Sequence, residues 1–200
     1  MQLVGSKTSP YVRKIRVLLA ENGMSYEFVE ESAWNAGTTV PRYNPLNKVP
    51  ALVTDAGRSL YDSAVISEYV DAIAGGKHIP AGILERATVR CHEALGDGIA
   101  DAGITLFLER KREAARQDPA WIERQRSKVG AGIEALAVAL GERPFLGGGE
   151  PDLGDLACGC ALFWVEFRLP EIRWRQDHPA LDGWAKRLEA RPSFAATRPA

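Results

Sequence analysis

The run "TSPYVRKIRVLLAENG", residues 8–23, sets a serine and a proline directly ahead of a helical pattern and close behind a short apolar stretch, "MQLVG". A redox loop of this layout carries C-P-Y-C. This chain carries S-P-Y-V and has no thiol there, so any sulfur handled by the loop comes from outside the protein. Proline suits the first turn of a helix because its missing N–H would be unpaired anyway, which makes Ser9 the expected N-cap. That geometry serves two ends. The Ser9 hydroxyl can simply close the helix. Alternatively, the hydroxyl and the free N–H groups of the first turn can stabilise an anion, and a bound thiolate is an anion. Lowering a thiol's pKa in this way enlarges its nucleophilic fraction at neutral pH.

Two further stretches carry chemistry of the same kind. "NPLNKVPAL" puts Pro50 directly after Val49 and ahead of a strand. A proline at a strand's first residue costs no ladder bond and leaves the preceding backbone groups free to pair with an extended peptide. "LYDSAVI" puts Asp62 and Ser63 at the start of a helix. There they can cap the helix, or Ser63 and its N–H can hold a carboxylate while Asp62 holds an ammonium. Together the three stretches offer a thiolate site, a peptide-pairing edge and an amino-acid clamp.

The elements that must position these residues divide the chain into unlike halves. "MQLVG" reads as a strand, and Val12, Ile15, Leu18 and Leu19 recur at helical spacing up to Gly23, placed to end that helix. "YEFVEE" alternates as a strand does, a turn-rich region follows, and "VPALVT" and "RSLYDS" flank the turn "DAG" as a hairpin. A helix then starts near Ser63. The order βαβ followed by ββα predicts a small open α/β unit with a mixed sheet over residues 1–76. The glycine- and proline-rich "AGGKHIPAG" marks a linker, drawn at 77–83, and residues 84–200 read as all helix. Within them, 86–117 and 121–140 are long helical stretches broken at Asp118 and Pro119, and "DLGDLACGCALFWVEFRL" and "ALDGWAKRLEA" are further helices.

Composition narrows the class of partner. At 200 residues, 46% hydrophobic and 26% charged, the chain has the make-up of an ordinary globular protein. A formal net charge of −1 and a pI near 6.3 give no electrostatic case for nucleic acid or an anionic membrane. No apolar run is long enough to span a bilayer, and "MQLVGSKTS" lacks the pattern of a signal peptide, so a cytoplasmic location is expected. The three cysteines, Cys91, Cys158 and Cys160, and the three histidines, His78, His92 and His178, form no metal-ligand spacing. The cysteines read as buried or half-buried structural thiols, and no metal is expected.

With these motifs in order, the chain resembles the cytosolic glutathione transferases essentially end to end. The first half is similar to that family's thioredoxin-like domain, with "SPYVRK" at its activating serine loop, "NPLNKVPAL" at its strand-entry motif and "DSAVI" at its γ-glutamyl motif. In the second half, "PDLGDLA" resembles the family's helix-starting box, with Asp152 as N-cap and Asp155 its partner three residues on, and "HPALDGWAKRLEARPSFAAT" resembles its closing helix and tail. The expected fold is therefore an α/β thioredoxin-like domain followed by an all-α helical domain, with glutathione as co-substrate in the cleft between them.

The resemblance implies roles residue by residue. Ser9 would donate a hydrogen bond to the glutathione sulfur, and Lys48 would face the glycyl carboxylate. Val49 would pair through its main chain with the cysteinyl backbone beside a cis Pro50, and Asp62 and Ser63 would hold the γ-glutamyl end. Many members carry Glu or Gln where Asp62 stands, a methylene longer. Tyr11 would be a packing or pocket-wall residue. The electrophile would lie along the first long helix, against Ile104, Phe107 and Leu108, with Trp164 and Phe167 as further candidates. Arg110 and Arg112 would either meet an anionic substrate or form a solvated helix face. The implied activity is conjugation of glutathione to small electrophiles. The alternatives are glutathione-dependent peroxide reduction and a binding protein that kept the fold without the chemistry. A thiol exchanger is disfavoured, because such enzymes need a cysteine where Ser9 stands. A homodimer is implied, through the "LYDSAVISEY" helix and the helix near residues 86–105.

Overall fold

In the computed structural model, which describes residues 1–199, the chain forms two units: Met1–Arg86 together with the segment from Glu189 onward, and Ala87–Leu188. The first unit opens with β1 (Gln2–Gly5) and α1 (Pro10–Glu21). Val12, Ile15, Leu18 and Leu19 all lie on the buried side of α1. Its end is a left-handed turn: Asn22 caps it, Gly23 has φ +63°, and the N–H groups of Gly23 and Met24 bond to the carbonyls of Ala20 and Leu19 at 3.0 and 2.9 Å. A residue with φ above zero past a helix end is the place for glycine, and these crossed bonds satisfy carbonyls the helix leaves unpaired.

β2 (Glu27–Glu30), β3 (Ala51–Val53), β4 (Ser59–Leu60) and α2 (Ser63–Ile73) follow. The four strands lie in the order β2-β1-β3-β4, with β2 parallel to β1 and the two remaining pairings antiparallel. The mixed α/β unit expected from the sequence is thus observed. Leu3, Val4, Ala51 and Leu52 of the sheet and Ile66 and Val70 of α2 are fully buried, and α2 packs on α1 and β3.

The second unit is all helix: the body of α3 (Ile83–Arg110), then α4 (Pro119–Leu140), α5 (Leu153–Arg168), α6 (Trp174–Asp177) and α7 (Pro179–Glu189). The helical stretch expected over 86–117 stops at Arg110, and only a short 3-10 turn, Ala114–Arg116, follows. Side chains close this corner. Gln117 Nε2 donates to the carbonyls of Arg110 and Arg112 at 3.0 and 2.9 Å, and Glu109 accepts the N–H of Asp118 at 2.9 Å. Every residue of α5 from Leu153 to Val165 is buried, as a helix apolar on all sides requires.

The helix-starting box holds the head of α5. Asp152 Oδ1 accepts from Asp155 N at 3.1 Å, and Asp155 Oδ2 accepts from Asp152 N at 3.0 Å. Asp155, fully buried, also accepts Leu146 N at 2.8 Å, Gly147 N at 3.1 Å and Trp184 Nε1 at 2.7 Å. Burial and the neighbouring Asp155 charge push the Asp152 carboxyl up to about 6. Cys158 and Cys160 are buried and Cys91 is exposed, so Cys91 departs from the expected burial.

After α7 the chain joins the first unit, and α8 (Pro192–Ala195) packs on α1. Arg191 Nε and Nη2 donate to the two carboxylate oxygens of Glu21, each at 2.8 Å, and Ser193 Oγ donates to the same carboxylate. Burial opposes ionisation of Glu21, but these bonds hold it below the usual carboxylate range. No helix among the described residues is long and apolar enough to cross a membrane.

Candidate functional site

The strand registers bring the three motifs to one end of the sheet. β1 pairs Val4 with Ala51, and β3 pairs Leu52 with Leu60. These pairings place the C-terminal ends of β1 and β4 and the start of β3 at the same end of the sheet. The loop after β1, the entry to β3 and the start of α2 therefore share one edge, as α/β sheets that bind ligands at strand ends do.

The loop after β1 is a compact turn. Ser9 N donates to Ser6 O at 3.1 Å, and Thr8 N donates to Ser6 Oγ at 3.3 Å. It can be compact because Gly5 ends β1: a Cβ there would lie 2.4 Å from Val12 Cγ2, so any side chain would push the first turn of α1 off the strand. Ser9 is the N-cap, half-buried, and its Oγ accepts the N–H of Val12 at 3.3 Å. Its carbonyl accepts Arg13 N at 3.0 Å. Tyr11, half-buried in the first turn, stands two residues on.

The Val49–Pro50 peptide bond is cis, as the resemblance implied. Pro50 is buried, Val49 half-buried and Lys48 exposed. Among the described residues, the main-chain N–H and carbonyl of Val49 have no partner. The residue shaping this corner is Asn44, only 2% exposed. Its Nδ2 donates to Lys48 O at 2.9 Å and its Oδ1 accepts Leu46 N at 3.0 Å. In the sequence Asn44 is one turn former of the turn-rich region; in the structure its side-chain amide ties the loop together.

At the start of α2, Asp62 is the N-cap and Ser63 the first helical residue. Asp62 Oδ1 accepts from Ala64 N at 3.0 Å and Val65 N at 3.5 Å, while Oδ2 has no partner among the described residues. Ser63 is 5% exposed, and its hydroxyl and N–H likewise have no partner among the described residues. Asp62 is exposed, and the Tyr61–Asp62 bond is also cis.

In the second unit, Ile104, Phe107 and Leu108 are half-buried on α3. Trp164 is 5% exposed on α5 and meets Phe107 edge to face, with ring centroids 5.9 Å apart. Phe167 is exposed, with the Arg168 guanidinium 4.2 Å from its ring centre. Arg110 pairs with Glu171, and Arg112, past the end of α3, with Glu109 at 2.8 Å. No cluster of three or more His, Cys, Asp or Glu that could hold a metal ion occurs among the described residues.

Comparison with known proteins identifies the family. The glutathione S-transferase N-terminal domain family matches residues 8–73, and the glutathione S-transferase C-terminal domain family matches residues 119–187. An uncharacterized GST-like protein of Escherichia coli K12, YibF, is 40% identical over 200 residues, covering 100% of this chain and 98% of that protein. A glutathione S-transferase of Methylobacterium radiotolerans, solved in complex with glutathione sulfonate, superposes with a TM-score of 0.95 at 40% identity, over 99% of this chain and 94% of its own. One from Methylobacillus flagellatus, solved with glutathione bound, gives a TM-score of 0.95 at 36% identity, over 100% and 99% of the two chains. Motifs, fold and relatives coincide over the whole chain, and the chain belongs to the glutathione S-transferase family.

Proposed function

We propose that this chain is a glutathione transferase that binds glutathione at the sheet edge formed by Ser9, Lys48–Pro50 and Asp62–Ser63, and activates its thiol at Ser9. The observation that carries the reading is the state of that edge. The Val49 main chain, the Ser63 hydroxyl and N–H, and one Asp62 oxygen all lack a protein partner among the described residues. Buried or half-buried polar groups such as those of Val49 and Ser63 are ordinarily paired, so finding them unpaired at one strand end, beside the exposed Asp62 carboxylate, suits a polar ligand. Each has a counterpart in glutathione: an amide backbone for Val49, a carboxylate for Ser63, an ammonium for Asp62 and the terminal carboxylate for Lys48. That two relatives of 40% and 36% identity were solved with glutathione sulfonate and glutathione supports the same ligand here.

The chemistry follows from the cap. Ser9 gives a lone pair to Val12 N–H and keeps its own proton, which is donated to the sulfur of bound glutathione. The thiol proton leaves to solvent, and the thiolate attacks the electrophilic carbon of an aryl halide or similar compound. A C–S bond forms and the halide departs with its electron pair. Within the helical unit, Ile104, Phe107 and Leu108 supply apolar contacts for the electrophile, and Trp164 backs Phe107.

We also infer a homodimer, because Val65 and Ile73 of α2 and Ile83 and Leu84 at the start of α3 are 49, 48, 90 and 75% exposed. Apolar groups so exposed on neighbouring turns suit a protein interface. The test of function is retention on immobilised glutathione, elution by free glutathione, and turnover of a generic aryl halide. Retention with turnover is expected; no retention would overturn the reading, and retention without turnover would leave a binding protein.

A further inference from the structure

Both ends of α1 are gripped by the segment that closes the chain. At the helix's last residue, Glu21, the grip is the two-point Arg191 pair at 2.8 Å and the Ser193 hydroxyl. At the first turn, Arg13, only 4% exposed, reaches the other end of the same segment. Its Nη2 donates to Phe194 O at 3.2 Å, its Nε to Thr197 Oγ1 at 3.5 Å, and its guanidinium lies 5.6 Å from the Phe194 ring centre. Thr197 Oγ1 in turn donates to Ser193 O at 2.9 Å. Residues 191–197 thus run antiparallel to α1, from its C-terminus to its first turn, with Ser193, Phe194 and Thr197 all under 7% exposed. Arg13 is also the residue whose N–H binds the Ser9 carbonyl at 3.0 Å.

A buried guanidinium needs its donors satisfied, and here a carbonyl and a hydroxyl from a segment some 180 residues distant in sequence help to satisfy them. Moving that segment would leave Arg13 to find other partners, and its backbone is one hydrogen bond from Ser9. A hydroxyl that must aim a proton at a sulfur tolerates little displacement, because misplacement of an ångström can cost on the order of a hundredfold in rate.

We propose that residues 191–197 are a strap that fixes the first turn of α1, with Arg13 as the positioning residue that transmits its hold to Ser9. Resting on the function proposed above, the strap sets how well Ser9 activates the glutathione thiol, since its hydrogen bonds to α1 go to Arg13 and Glu21.

The test uses the full chain carrying Arg13→Gln or Arg191→Gln, the latter releasing the strap at the end remote from Ser9. Amide hydrogen exchange at residues 12 and 13, whose N–H groups bond to Ser9 itself, is expected to rise about tenfold in both variants, with β1 and β3 amides unchanged. The apparent pKa of the bound glutathione thiol is expected to rise while the glutathione dissociation constant holds, and Arg13→Lys, which keeps a cation over Phe194, should move both readouts back toward wild type. Unchanged exchange at residues 12 and 13, or an equal rise throughout the sheet, would overturn the proposal. So would a localised rise with an unmoved thiol pKa, since the strap would then be structural only. A wild-type protein that fails to bind glutathione would sink the proposed function instead, and the exchange at residues 12 and 13 would still decide whether the strap holds the turn.

Discussion

Ser9 Oγ accepts the backbone N–H of Val12 at 3.3 Å, so the residue caps α1 with a lone pair and retains its own proton. The sequence presents capping and thiolate stabilisation as competing uses of one hydroxyl. In the structure they are compatible, because a hydroxyl has two acceptor sites and one donor. Capping then becomes the means by which the donor is held in place.

Asp62 divides its carboxylate in a similar way, with Oδ1 on the cap and Oδ2 unpartnered among the described residues. Asp62→Asn keeps an acceptor for Ala64 and Val65 and removes the charge. It should leave the melting temperature near wild type and weaken glutathione binding about tenfold, measured by calorimetry. Asp62→Ala removes both functions and should also cost roughly 0.5–2 kcal/mol of stability.

Ser63→Ala removes a hydroxyl with no protein partner among the described residues, so the fold should lose little. A hydrogen bond to a charged group contributes roughly 1.5–3 kcal/mol, which predicts about a ten- to hundredfold rise in the glutathione dissociation constant. Turnover at saturating glutathione should be unchanged. An unaltered dissociation constant would remove Ser63 from the site.

Ile104→Ala and Leu108→Ala should each raise KM for an apolar electrophile by roughly 5- to 150-fold, from about 1–3 kcal/mol of lost contact, with KM for glutathione unmoved. Equal effects on both substrates would indicate a helix distortion rather than a lost pocket wall.

Much of the fold was legible because its signals are local. The apolar spacing of α1, Gly23 at its end and the proline before β3 each act within a few residues, and the structure follows them. What stayed hidden depends on distant pairing. Nothing near Arg13 or Arg191 in the sequence marks either as a long-range tie, and only the return of the closing segment to the first unit shows that both bind it to α1. The end of α3 at Arg110 was hidden likewise, since the intervening residues form helices well and the corner is made by Gln117 and Glu109 side chains. Asn44 was visible as a turn former but not as the support of Lys48 and Val49, which needs the loop's closure to be seen.

The head of α5 predicts a pH dependence. Asp152 has its folded-state pKa raised from 3.8 to about 6, chiefly by burial and then by Asp155. A raised acid binds its proton more tightly in the folded state than in the unfolded one. Its contribution is therefore most favourable below pH 4, declines as pH rises between about 4 and 6, and is lost above that window. At about 1.36 kcal/mol per unit the decline is at most about 3 kcal/mol. Asp152→Asn keeps a capping oxygen without the charge, so it should raise the melting temperature at pH 7 and flatten the profile between pH 4 and 6. Thermal melts across that range check both; a steeper profile in the variant would contradict the assignment.

The central claim is that Ser9 stabilises the glutathione thiolate, and it is tested most directly by titrating thiolate absorbance in the glutathione complex of wild type and Ser9→Ala. One hydrogen bond to a charged group, roughly 1.5–3 kcal/mol, corresponds to a pKa change of about one to two units. The account predicts that the bound thiol's apparent pKa rises by that amount in Ser9→Ala, with turnover falling about ten- to a hundredfold and glutathione affinity nearly unchanged. An apparent pKa that stays at the wild-type value would contradict it and leave Ser9 as a helix cap alone.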